Sequence, residues 1–112
     1  MLFMNTLTPL FALMLASGVQ ATYEIAVFSD SNCQNPIASQ STTKVLSGTC
    51  DSNIKGGCSS AKVLHKWASP AGTITFYENS VCSGMPSRTV TNPGYGDCIS
   101  FGFNANAVYL IG

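Results

Sequence analysis

Laid against itself at an offset of 49, the sequence matches. Tyr23-Glu-Ile-Ala-Val-Phe-Ser-Asp-Ser-Asn-Cys33 falls above Gly72-Thr-Ile-Thr-Phe-Tyr-Glu-Asn-Ser-Val-Cys82, so that Ile25 meets Ile74, Asp30 meets Asn79 and Cys33 meets Cys82. Gly48-Thr-Cys50 meets Gly96-Asp-Cys98 at an offset of 48, and Ser60-Ala-Lys-Val-Leu64 resembles Asn106-Ala-Val-Tyr-Leu110 at an offset of 46. A chain of this kind is two copies of one supersecondary unit, each about 40 to 45 residues, with small length differences absorbed in loops.

Each copy reads as strands. Ile25 and Val27 alternate with Ala26 and Phe28, and Ile74 and Phe76 with Thr75 and Tyr77, which is the period of β structure. Val63 and Val108-Tyr-Leu-Ile111 supply β-branched and aromatic closing strands. Asn35-Pro36, Ser47-Gly48, Gly56-Gly57, Ser83-Gly84 and Asn92-Pro93-Gly94 punctuate them as turns. Beyond residue 21 no stretch sustains helical periodicity for three turns. The expectation is an all-β sandwich of two Greek-key motifs.

Residues 1–21 read differently. They carry no charge, and Leu10-Phe-Ala-Leu-Met-Leu-Ala16 is followed by small residues at Val19 and Ala21. That is the pattern of a secretory signal peptide cleaved before Thr22, and the apolar run is too short for the roughly 20 residues of a membrane span. The n-region lacks Lys and Arg, so a buried N-terminal helix is the alternative. Residues 22–112 then form a single domain containing all five cysteines.

In a secreted chain these cysteines point to disulfides. Metal ligation has no support from spacing, because there is no C-x-x-C and His65 is the only histidine. Five cysteines with one left free allow fifteen two-bridge patterns. Repeat symmetry favours Cys33–Cys50 and Cys82–Cys98, each closing a loop of about 16 residues worth roughly 3 kcal/mol, with Cys58 unpaired; a Cys33–Cys58 bridge competes.

Tyr77-Glu-Asn-Ser-Val-Cys82-Ser-Gly84 after an alternating strand, with the closing Asn106-Ala-Val-Tyr, resembles the βγ-crystallin Greek-key motif, which opens with an aromatic, four residues, an aromatic, one residue and Gly. In the first half Phe28 is the opening aromatic and Asn35 stands for the glycine, so Asn35 is expected in the left-handed region. Cys33 and Cys82 occupy the second aromatic position. The resemblance implies a disulfide-stabilised, βγ-crystallin-like sandwich with motif one at 22–67 and motif two at 68–112. It extends to small secreted microbial proteins of that fold, among them killer-toxin-like antimicrobial proteins.

The calcium pattern of some βγ-crystallin domains falls on Lys55-Gly56-Gly57-Cys58-Ser59-Ser60, where the Ser pair is kept but Lys55 stands at an Asn/Asp position. In the second half, Phe101-Gly-Phe-Asn-Ala-Asn106 keeps neither pair. A cation needs oxygen ligands, so no metal and no cofactor is expected. Cys58 and His65 are a conceivable nucleophile and base, but seven residues apart on one strand they face opposite sides. The carboxylates Glu24, Asp30, Asp51, Glu78 and Asp97 give no sign of a paired site, and no enzyme is expected. Asp30 and Asn79 instead suit hairpin caps.

Trp67, beside His65 and Lys66, is either a packing residue between motifs or a recognition anchor. Five basic and five acidic residues cancel. That excludes nucleic-acid binding and disfavours attraction to anionic membranes. The expected function is that of a secreted protein acting on another organism, as a toxin-like antimicrobial protein or host-directed effector. Its partner would be an extracellular protein or cell-wall carbohydrate, recognised by surface contact. The alternatives are a structural or storage-like extracellular protein and an enzyme inhibitor.

Overall fold

The computed structural model describes residues 20–37, 42–52, 54, 57–68 and 70–112. The expected signal peptide, apart from Gln20 and Ala21, and Lys55 and Gly56 of the calcium-type stretch lie outside them. The described residues form eight strands and no helix: β1 (Thr22–Phe28), β2 (Thr43–Leu46), β3 (Cys50–Asp51), β4 (Cys58–Trp67), β5 (Thr73–Tyr77), β6 (Ser87–Thr91), β7 (Ile99–Ala105) and β8 (Ala107–Ile111). No helix among the described residues is long and apolar enough to cross a membrane.

Two four-stranded antiparallel sheets result, with orders β2-β1-β4-β7 and β3-β8-β5-β6. Each half places its first, second and fourth strands in one sheet and sends its third strand to the other. Thus β3 pairs with β8, and β7 pairs with β4. The alternation legible in the sequence sets the two faces. Tyr23, Ile25, Val27, Ala61, Val63, Ile99 and Phe101 of one sheet are buried against Ile74, Phe76, Val108 and Leu110 of the other. Phe76 stacks on Phe101 at a centroid distance of 4.3 Å, bridging the sheets.

The repeat recurs in atomic detail. The Asp30 carboxylate accepts the N–H groups of Asn32, Gln34 and Asn35 at 3.0, 3.0 and 2.8 Å. Asn79 Oδ1 accepts those of Val81 and Ser83 at 3.0 and 3.3 Å. Both are caps of the expected type. Gly48 and Gly96, at φ 81° and 77°, each donate to a carbonyl on the closing strand of the other half, Leu110 and Val63 respectively, at 2.9 Å. Their conformation is one that side chains resist. The fully buried Ser60 donates to the Asp30 carbonyl at 2.6 Å and accepts the Cys33 N–H at 3.1 Å, fastening the first hairpin to β4.

Two expectations are corrected. Asn35 is not left-handed, whereas Gly84, at φ 70°, is; Cys33 and Cys82 are left-handed too, at φ 57° and 54°. Asn35 precedes Pro36, whose ring forces the preceding residue towards extended backbone. The disulfides do not close within each half. They are Cys33–Cys98 and Cys50–Cys82, with Cα separations of 5.9 and 5.8 Å, and Cys58 is free and buried. The strand exchange is the reason. Cys50 opens β3 and is carried to the turn after β5, where its sulfur lies 3.8 Å from the Ser80 carbonyl. Cys98 leads into β7 and is carried to the turn after β1, where its sulfur lies 3.8 Å from the Ser31 carbonyl. Repeat symmetry survives, with each half's third-strand cysteine meeting the other half's hairpin cysteine.

Candidate recognition face

The strand β4 carries Cys58, His65, Lys66 and Trp67. Its pairing with β1 slips by one between Glu24 and Ile25: His65 faces Glu24 and Val63 faces Ile25, so Leu64 is the extra residue of a bulge. A bulge reverses the alternation beyond it. Ala61 and Val63 therefore point into the core, whereas the odd-numbered His65 and Trp67 turn outwards, with the His65 side chain 66% exposed and Trp67 44% exposed.

Two cross-strand rows result. Leu46, Thr22 and Trp67 form one, and Lys44, Glu24 and His65 the next. Lys44 Nζ stands 5.5 Å from the centre of the Trp67 ring, within cation–π range. The His65 ring lies 5.7 Å from the same indole, and its Nε2 is 3.9 Å from Glu24 Oε1. The indole is thus held in place while a large part of it stays in water. Trp67 is a partly exposed surface residue and not part of the core.

Lys66 belongs elsewhere. One residue out of step with its neighbours, it places Nζ 5.6 Å from the Tyr23 ring and 5.3 Å from the Tyr95 ring, and it donates to Asn92 Oδ1 at 3.1 Å. It ties β4 to the loop before Gly96. The place beside Trp67 expected for Lys66 is taken by Lys44, which sequence reasoning missed. Strand alternation within His65-Lys66-Trp67 was the available signal for removing Lys66, but nothing local announces β2 as the neighbour.

Lys44 and Leu46 also line a groove of about 330 Å³ with Thr49, Cys50, Asp51 and Ser52. It lies where β2, at the edge of one sheet, approaches β3, at the edge of the other. Its volume is in the range of small-molecule sites. The indole and the groove meet at Lys44.

Cys58 and His65 are not brought together. The thiol is 1% exposed, and burial pushes its pKa up to about 12, whereas the imidazole is on the outer surface. The register with β7 is irregular between Cys58 and Ser60, and Cys58 faces the core with Ala61 and Val63. Among the described residues no group of three or more His, Cys, Asp or Glu side chains is placed to hold a metal ion. Of the calcium-type stretch, Ser59 donates to Asn104 Oδ1 at 2.9 Å and Ser60 to the Asp30 carbonyl.

No known protein family, curated protein or solved structure matches the chain. Fold and face together define a two-sheet, disulfide-bridged all-β protein presenting one half-exposed indole near a groove of mixed polar and apolar lining. Disulfides of this kind belong to an oxidising, extracellular-type environment.

Proposed function

We propose that this chain is a secreted protein of βγ-crystallin-like Greek-key architecture. Its role is to recognise the surface of another organism, as a toxin-like antimicrobial protein or a host-directed effector, without catalysis. Third strands exchanged between the two halves support the architecture. The observation that carries the function is Trp67, contacted by Lys44 and His65 yet 44% exposed. A rigid aromatic at the surface is the residue type that dominates binding interfaces.

The test is one preparation applied to candidate microbes and host tissue and scored for growth arrest or cell death. It is applied native, reduced and alkylated, and as Trp67→Ala. Reduction should abolish activity, and Trp67→Ala should weaken it by about 2 kcal/mol, roughly 30-fold in affinity. Full activity after reduction, or loss of activity on adding salt alone, would overturn recognition by a folded surface.

A further inference from the structure

The groove and the indole share Lys44, and their chemistry selects among partners. Apolar exposure on this face comes chiefly from Trp67 and Leu46. These sit on either side of Thr22, two strand spacings apart, roughly 10 Å. A stable protein–protein contact covers about 800 Å² per partner around an apolar centre, and two separated side chains do not make such a centre. The remaining groups are polar and of both signs. Lys44 and Glu24 lie in one row with His65, and Thr49, Asp51 and Ser52 line the groove with Lys44. One cation, Lys44, stands among two carboxylates, Glu24 and Asp51, so no strong field of one sign selects a polyion.

An exposed indole bordered by hydrogen-bond donors and acceptors, with one cation and two carboxylates among them, is complementary to a pyranose ring. Such a ring has an apolar C–H face and a rim of hydroxyls. We infer that this face binds an uncharged polysaccharide. One sugar stacks on Trp67, and the chain passes over Leu46 so that a further sugar presents its hydroxyls to Thr49, Asp51 and Ser52. Lys44, touching both regions, orients the indole and bonds the chain between them. The inference rests on the recognition face proposed above and names the class of its target.

The chain has a single Trp, so its fluorescence reports this site alone. The intact secreted protein is titrated with chito-oligosaccharides, β-glucan oligosaccharides and mannan oligosaccharides, with polygalacturonate as the acidic control. At least one neutral glycan should give a saturable blue shift that physiological salt does not abolish. By calorimetry, Trp67→Ala should bind that glycan at least tenfold more weakly, Trp67→Tyr within a few-fold of the original, and Ser52→Ala several-fold more weakly. Circular dichroism establishes that each variant is folded. A saturable shift with none of the neutral glycans at millimolar concentration overturns the inference. So does a salt-sensitive shift with polygalacturonate alone, or equal binding by folded Trp67→Ala. If glycans fail but Trp67→Ala still loses activity on cells, the recognition face stands and its target is not a polysaccharide. If Trp67→Ala keeps full activity on cells, the face itself is wrong.

Discussion

Removing the Cys50–Cys82 bridge, as Cys50→Ala with Cys82→Ala, should loosen both halves of the molecule together. The bridge spans 32 residues and lies inside the 65-residue span of Cys33–Cys98. On the chain-entropy estimate the inner loop alone is worth about 3.7 kcal/mol and the outer alone about 4.3 kcal/mol. Once the inner bridge is closed, the outer one completes a ring of only about 34 residues, worth about 3.8 kcal/mol. Loss of the outer bridge should therefore cost about 3.8 kcal/mol and loss of the inner bridge, with the outer one kept, about 3.2 kcal/mol, the latter a fall in Tm of roughly 20 °C. Bridges within each half would close loops of about 16 residues and contribute about 3 kcal/mol each. Guanidinium unfolding measures the loss. The pairing itself is decided by tryptic mapping without reduction, because Lys44, Lys55, Lys62, Lys66 and Arg88 place every cysteine on its own peptide. The crossed pairing links the peptide ending at Lys44 to the one beginning at Thr89, and Val45–Lys55 to Trp67–Arg88. Finding the Lys44 peptide joined to Val45–Lys55 would refute the crossed arrangement and the strand exchange that explains it.

The Asp30 carboxyl is held below its ordinary pKa of 3.8 chiefly by the Asn35 N–H, helped by those of Gln34 and Asn32. A depressed carboxyl contributes stability that is present above the unfolded value and lost as pH falls through the folded one. Asp30→Ala should therefore lower Tm at neutral pH, with the difference from the original shrinking below about pH 3.8 in a pH series of melts. The Cys58 thiol should resist a thiol-specific reagent in the native protein and react as one thiol per chain after unfolding with the disulfides intact. Because its pKa rises to about 12 on folding, the buried thiol should weaken stability as pH climbs above 9, and Cys58→Ala should remove that dependence. Intact mass spectrometry of protein from the culture medium should find Thr22 first, because Val19 and Ala21 suit signal-peptide cleavage.

Ile25, Val27, Ile74 and Phe76 announced their strands and inward faces because alternation is a local property of the backbone. Asp30 and Asn79 announced their caps because a short polar side chain bonds N–H groups only a few residues on. The repeat likewise marked Cys33 with Cys82 and Cys50 with Cys98 as equivalent positions. Equivalence under a repeat is compatible with pairing inside each copy or across copies, and only the passage of β3 and β7 into opposite sheets chose between them. The same holds for the candidate face. His65 and Trp67 point outwards together because of a bulge at Leu64, and Lys44 reaches the indole because β1 brings β2 and β4 to either side of itself. Local periodicity and turn chemistry are thus written residue by residue in the chain, whereas bridge partners and surface neighbours come from long-range strand pairing, which exists only after the sheets have formed.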